Sequence, residues 1–558
     1  MYSNGPEKPQ IRIGLLLDSP IVSKYVRDFV AWVQSHERLN IVAVLLIARH
    51  QNDSAGSRSC RKNLFKLVVA IERILLRKNR RHCDHFSGFD ISNILPNAAL
   101  YCCDNEQDFQ AIEGAHLELL VAFTNVLPQK LYKTTKLGIL ILTHSSELNE
   151  SSPAGFWEVY LRADVTGFTV EHLDPARQVK DVLLSGYVAT QFYYLLNQAT
   201  LFEKSHYYLF KTIEKVCDHR EMPKGSQRLI KSYTFPEIPS VSQSIGYLLG
   251  LAQLIIGKVG GKFRRFSYTW NVGYFRSDWR QTEPSDTHIV RNPPGHILAD
   301  PFVISRDGRD VCFVEDLDSA TNRGIITVYD VTTDPATYIG GALAEDFHLS
   351  FPYLFAYRGA LYMCPETSQS REIRIYKCRE FPLRWQLEKV IMRDLSAVDT
   401  LLFEHNSRWW LMTNIDPAQW GDHSLELCIF SAASPLDDAW TPHPGNPFLI
   451  DASRTRNGGI VLEGDKIFRV AQGQGFDMYG KRTTINEIVQ LDDDVYIERC
   501  VREISPIAKN GIVSTHHFHT NGAISTFDFA HKGGGGTLVG PLKFAEIVNV
   551  KDLMPPGS

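Results

Sequence analysis

Asp300, Asp399, Arg456 and His516 each belong to the opening of one copy of a repeated β-hairpin. Residues of these types at one repeated position converge if the copies are arranged in a ring. Carboxylates with arginine, glutamine and aromatic neighbours suit the hydroxyls of a sugar. The charged groups make bidentate hydrogen bonds, and rings stack on the sugar's apolar faces. Glu315 and Glu366 end the returning strands of the first two copies (FVED, MCPE), and His348 precedes SFPY. Gln472 and Tyr479 follow the fourth hairpin. Catalytic roles are expected for Asp300, Asp399 and Glu366, and substrate contacts for Glu315, His348, Arg456, Gln472, Tyr479 and His516. The competing expectation is structural. Glu315 and Glu366 would then tie blades together through buried hydrogen bonds, and Asp300, ahead of Pro301, would be a turn former.

The elements that position these residues repeat at about fifty residues. Five times an apolar strand meets a turn and returns as an aromatic strand, beginning at Phe302, Tyr353, Leu401, Gly459 and Ile512. A hairpin repeat of that period predicts a β-propeller of five blades, because one blade cannot bury its own face. A five-bladed ring leaves a narrow axial throat. The tail after His531 carries GGGG ahead of a last strand that is expected to close the ring.

The amino-terminal half reads differently. Ile11 to Asp18 and Ile41 to Ile47 are continuous apolar strands flanking a helical pattern over Val26 to Val33. That is a βαβ opening of a parallel sheet. Leu117 to Phe123 and Leu137 to Leu142 continue it. No GxGxxG follows the first strand, so a Rossmann dinucleotide site is not expected. Arg61 to Arg81 predicts a basic amphipathic helix, either packed with a solvated rim or touching a membrane surface or partner. Residues 187–235 are helical and aromatic. Ser242 to Phe266 has an apolar body and a cationic end, which suits an interfacial helix or one packed between domains. The expected domains are an α/β domain over 1–190, a helical connector over 191–266 and the propeller over 267–558.

The chain has 558 residues with 44% hydrophobic and 22% charged content, ordinary for a globular protein of two or three domains. A formal net charge of -4 argues against a nucleic-acid partner. Ten cysteines without CxxC pairs point to free thiols in a reducing compartment and to no metal centre. With neither a signal peptide nor a transmembrane-length apolar run, the expected location is cytoplasmic, with attachment at the membrane surface left open.

Two resemblances add to this reading. The string THSSELNESSPAGFWEVYLRADVTGFTVEHLD, after the LGILIL strand, is similar to the formyltransferase fold of methionyl-tRNA and sugar N-formyltransferases. PAGFWEV resembles a bacterial branch that fuses such a domain to a propeller. In the second half ADPFVI, HLSFPYLF, MCPE, FPLRW, DTLLF, RNGG and YGKRTTINEI recur in the order of the N-terminal domain of plant glucosamine inositolphosphorylceramide transferase. The formyltransferase resemblance implies an Asn donor, a His for proton handling and an Asp that orients the His. Here His144 is kept. The Asn position falls on Leu142, or on Ile141 if the strand shifts by one, and the Asp position on or next to Gln178. Formyl transfer is therefore expected to be lost, and folate is not an expected cofactor. Glu158 is a substitute carboxylate that with His144 makes a second candidate site, His144 being otherwise a structural histidine.

ADPF also resembles the first blade of arabinanase, levansucrase and invertase relatives. Their inverting members use carboxylates from blades one, three and four around a water and a glycosidic bond. Asp300 and Asp399 match the first two. Blade four offers Arg456, and Glu463 only in a turn. The favoured expectation is a transferase-type, carbohydrate-active protein of glycan or glycolipid synthesis, taking a sugar, nucleotide-sugar or lipid-linked glycan. The alternatives are an inverting glycoside hydrolase and a non-catalytic glycan-binding scaffold.

Overall fold

The computed structural model describes residues 10–47, 57–77, 88–124, 126–144, 153–225, 238–263, 268–276, 278–280, 287–506, 512–532 and 543–546. The part of the formyltransferase-like string at 145–152, the end of the basic stretch after Arg77 and the GGGG run lie outside the described residues. The chain forms two compact units, Met1–Gly257 and Lys258–Ser558.

The first unit is built on a seven-stranded sheet. Its elements are β1 (Ile11–Leu17), α1 (Lys24–Ser35), β2 (Leu39–Leu46), α2 (Ser57–Leu75), β3 (Ala99–Cys102), α3 (Glu106–Gly114), β4 (Leu119–Ala122), β5 (Ile139–His144), α4 (Phe156–Leu161), β6 (Val165–Leu173), β7 (Lys180–Ala189) and α5 (Tyr194–His219). The sheet order is β3-β2-β1-β4-β5-β6-β7, parallel up to β5 and antiparallel beyond. β1 reads as an apolar run because helices cover both faces of a parallel sheet. α1 buries Val26, Phe29, Val30 and Val33, the spacing of one helix face. The expected connector at 191–266 supplies α5 and α6 (Val241–Phe263). α5 packs on the sheet, where Tyr208 stacks on Phe168 at 5.6 Å. The division between the units falls inside α6.

The second unit is a five-bladed propeller. Its inner strands are His296–Arg306, Ser350–Tyr357, Ala397–His405 and Arg456–Glu463 in blades one to four. In blade five Ile512–Ser514 and Phe518–Thr520 both pair with Ser525–Lys532. Blades one to three turn from the inner to the second strand in two residues, Asp307–Gly308, Arg358–Gly359 and Asn406–Ser407. All six have positive φ, between 47° and 76°. That backbone matches the twist of a hairpin and is the reason turn residues recur there.

Ring closure departs from the expectation. The tail strand Lys543–Glu546 joins the outer edge of blade four. The ring is instead closed by Tyr268–Phe275, which precedes blade one and pairs antiparallel with Ser525–Lys532 in blade five. A central position between two strands satisfies both edges of Ser525–Lys532, which a strand on blade four does not reach.

Candidate functional site

Each inner strand of blades one to four breaks its pairing once, between Ala299/Phe302, Ser350/Tyr353, Val398/Leu401 and Asn457/Ile460. These are bulges, which re-aim side chains. Asp300, Phe351 and Asp399 occupy the bulges with φ of 49°, 48° and 50°. Aspartate tolerates this left-handed conformation better than most residues. Asp300 and Asp399 therefore stand inside the inner strands, a few residues after they begin, rather than ahead of them. Blade four has Gly458 and Gly459 at its bulge. A Cβ on Gly459 would lie 2.2 Å from the Phe518 carbonyl oxygen, and φ there is 121°. Only glycine lets blade four pass so close to the backbone of blade five.

The bulge of blade one and the connection between Ile512–Ser514 and Phe518–Thr520 of blade five meet around His516. Its Nδ1 is 2.8 Å from Oδ2 of Asp528, and its Nε2 is 3.4 Å from Oδ1 of Asp300. Asp528 also accepts hydrogen bonds from the backbone N–H groups of Asp300, His516 and His517. Oδ2 of Asp300 accepts from the Phe351 N–H at 3.3 Å. Burial disfavours the charged imidazole of His516, but the two carboxylates outweigh it and push its pKa up to about 9. Burial raises the pKa of Asp300 well above the usual range. Glu315, Asp528 and Asp399 add to the rise, and His516 opposes it. Burial also acts on Asp528, but His516 holds its pKa below the ordinary value. His517, beside Phe302 and Phe351, is buried and pushed down to about 3.

A second group faces the first. Arg456 Nε donates to Oδ2 of Asp399 at 2.6 Å, its Nη2 lies 3.9 Å from Oε2 of Glu366, and its guanidinium lies 5.3 Å from the centre of the Tyr479 ring. Burial raises Asp399 to about 6, with Arg456 limiting the rise. Asn457 fixes the bulge by donating to the Asp399 carbonyl oxygen at 2.9 Å. Tyr479 and Trp270 bridge the two groups, their rings 5.4 Å and 4.3 Å from that of His516. At blades one and two, His348 Nε2 is 3.2 Å from Glu315, and its Nδ1 accepts from the Gly324 N–H. Gln472 and Gln474 are buried, and their Nε2 donors have no protein acceptor among the described residues. A buried amide donor in that state calls for a ligand or water oxygen.

The structure thus brings Asp300, Asp399, Glu366, Glu315, His348, Arg456, Gln472, Tyr479 and His516 to one throat. Sequence reasoning missed Asp528, His517, Trp270 and Gln474. The available signals were an acid between two phenylalanines in STFDFAHK and the His516–His517 pair. Glu463 is elsewhere engaged, accepting from Trp279 Nε1 at 2.7 Å and from Arg280. Asp300, His516 and Asp528 are also the one described group whose donor atoms, all within 4.8 Å of one another, could hold a metal ion. Both imidazole nitrogens already face a carboxylate, so the imidazolium itself balances the charge there.

His144 and Glu158 belong to the first unit. His144 ends β5, is buried, and places Nε2 3.1 Å from Ser205 Oγ. Glu158 is buried in α4, where its carbonyl oxygen accepts from Ala163. Ile141 and Leu142 are buried strand residues without a side-chain donor. Gln178 is exposed in the turn between β6 and β7, with φ of 55°.

Residues 285–516 match the family described as glucosamine inositolphosphorylceramide transferase 1, N-terminal. The transferase of that name from Arabidopsis thaliana is 34% identical over 286 residues, covering 45% of this chain and 37% of that protein. The one from Oryza sativa subsp. japonica is 33% identical over 211 residues, covering 37% and 28%. The chain therefore spans well under half the length of these relatives. Among solved structures it is similar to the catalytic domain of a GH62 α-L-arabinofuranosidase from Coprinopsis cinerea (12% identity, 50% of this chain and 96% of that one, TM-score 0.33). It is likewise similar to an α-L-arabinofuranosidase from Lactobacillus brevis (14%, 46% and 92%, TM-score 0.32).

Proposed function

We propose that the propeller throat binds a sugar residue and that the protein acts in glycan or glycolipid synthesis as a carbohydrate-active, transferase-type protein. The observation that carries this reading is the pair of bulge carboxylates, Asp300 and Asp399, each buried beside a cationic partner and joined by Trp270 and Tyr479. Left-handed aspartates in a buried polar cluster are strained, and such strain gathers at binding sites. The Gln472 and Gln474 amides supply donors for hydroxyls, and the aromatic rings suit a sugar's apolar face. The relatives' names support a glycolipid with a sugar donor as the substrate class. The free thiols of the described cysteines suit the cytoplasmic, reducing location expected from the sequence.

The first unit, in this reading, keeps a formyltransferase-like fold without formyl transfer, because the strand before His144 offers apolar Ile141 and Leu142 in place of a donor. Glycoside hydrolysis is the weaker reading. Blade four places Arg456 in the throat, and Glu463 is engaged with Trp279 and Arg280.

The test is Asp300→Asn, which keeps size and tolerance of positive φ while removing the charge. Binding of glycans, or turnover of a nucleotide-sugar with a glycolipid acceptor, is expected to fall at least tenfold, with Tm within a few degrees. Unchanged binding and turnover overturn the proposal. Release of a reducing sugar by the native protein favours hydrolysis, and saturable sugar binding without turnover favours a scaffold.

A further inference from the structure

In the first unit, α2 and the stretch 241–257 of α6 are joined along their inner faces. Tyr247 of α6 donates to the carboxylate of Glu72 on α2. Phe156 packs at 5.2 Å against both Phe65 of α2 and Tyr247. Glu72 also accepts from the backbone N–H groups of Tyr194 and Leu195 at the start of α5. This carboxylate is the only acidic side chain on either helix, and it is buried. The outward faces are therefore without negative charge.

Those faces are apolar and, on α2, basic. Ser244, Tyr247 and Leu251 are the buried side of α6. Val241, Ile245, Leu249 and Ile256 fall on one other face, being four, four and seven residues apart, and Leu249 and Ile256 are 61% and 70% exposed. Residues 241–257 contain no charged residue, and Lys258, Lys262, Arg264 and Arg265 follow in sequence. On α2, Leu67 and Ile74, 51% and 72% exposed and seven residues apart, share the outward side with exposed Lys66, and exposed Arg77 lies just beyond the helix end. No described helix is long and apolar enough to cross a membrane. Apolar residues that enter the acyl boundary, flanked by cations that meet anionic headgroups, form an interfacial surface.

We infer that the outward faces of α2 and α6 dock on an anionic membrane surface, lying in its plane. Apolar burial supplies one part of the attachment and headgroup attraction the other, so the two parts respond separately to mutation and salt.

The experiment is sedimentation of the full chain with vesicles of phosphatidylcholine alone or phosphatidylcholine with phosphatidylserine. The native protein is expected in the pellet with anionic vesicles, with several-fold less bound at high salt. Leu249→Glu/Ile256→Glu is expected to lose at least tenfold in binding while its circular dichroism and throat sugar binding stay native. Lys66→Glu/Arg77→Glu is expected to lose the preference for anionic vesicles. Equal recovery in the supernatant with and without vesicles overturns the inference. So does native vesicle binding by Leu249→Glu/Ile256→Glu, or a dimer in sedimentation velocity that this variant converts to monomer. Loss of vesicle binding with sugar binding intact separates this surface from the throat.

Discussion

His516 and Asp528 form an ion pair that is wholly inside the propeller, with Nδ1 2.8 Å from Oδ2. The pair fixes the imidazole so that its other nitrogen faces Asp300. In the proposed reading Asp528 orients the imidazole, His516 holds a proton, and Asp300 is the carboxyl offered to a ligand. A carboxyl whose pKa is raised beside a retained imidazolium is poised to exchange a proton or to donate a hydrogen bond to a sugar oxygen.

Stability should depend on alkaline pH through this pair. The folded-state pKa of His516 is about 9, against an ordinary value of 6.5. A group raised on folding contributes its full stabilisation below the unfolded value and loses it as pH rises through the folded one. Tm is therefore expected to fall between about pH 6.5 and pH 9. His516→Asn, which cannot hold the proton, is expected to start lower and to show a flatter profile over that window. Parallel profiles for the two proteins would contradict the charge assignment.

Arg456 and Asp399 should behave as a unit. Arg456→Met leaves a buried carboxylate without its cation, and breaking such a pair costs ~3–5 kcal/mol. Asp399 is also expected to shift further above about 6, where it stands with its partner present. Asp399→Asn keeps a residue that tolerates positive φ. The double variant Arg456→Met/Asp399→Asn is therefore expected to recover part of the loss. A double-mutant cycle in urea measures this, and additive losses would show that the two side chains do not interact.

Formyl transfer is expected to be absent. N10-formyltetrahydrofolate should not support formylation of an amino-sugar, because Leu142 supplies no donor and Gln178 is exposed on a turn. A formylated product that disappears in His144→Ala would reverse this.

Much of the throat was legible because its residues lie at one position of a local repeat. Two-residue turns such as Asp307–Gly308 mark the hairpins of blades one to three, so Asp300 and Asp399 could be aligned without knowing the fold. The bulges were not legible. The φ near +50° at Asp300 accompanies contacts with other blades, such as the Phe351 N–H on its carboxylate, and leaves no trace in spacing. Asp528 was missed for a related reason. In STFDFAHK it alternates with Phe527 and Phe529, which reads as the ordinary polar side of a half-buried strand. Only the ring places that side on the axis. The same non-locality explains the closing strand, since nothing near Tyr268–Phe275 names a partner as distant as Ser525–Lys532. In the first unit the apolar strands were legible from composition, whereas the burial of Glu72 between α2 and α6 depends on a tyrosine far along the chain.

The closing pair has a consequence for synthesis. Contacts this distant in sequence form late, because the chain must lose the most freedom before they form. Asp300 leaves the ribosome long before Asp528, yet its backbone N–H is held by that side chain. Blades one to four can be made and stacked while the throat still lacks its imidazolium and its orienting acid. The site is thus a record of completed manufacture. A chain interrupted just before Ser525 has most of the propeller's residues but lacks the acid that holds His516 beside Asp300.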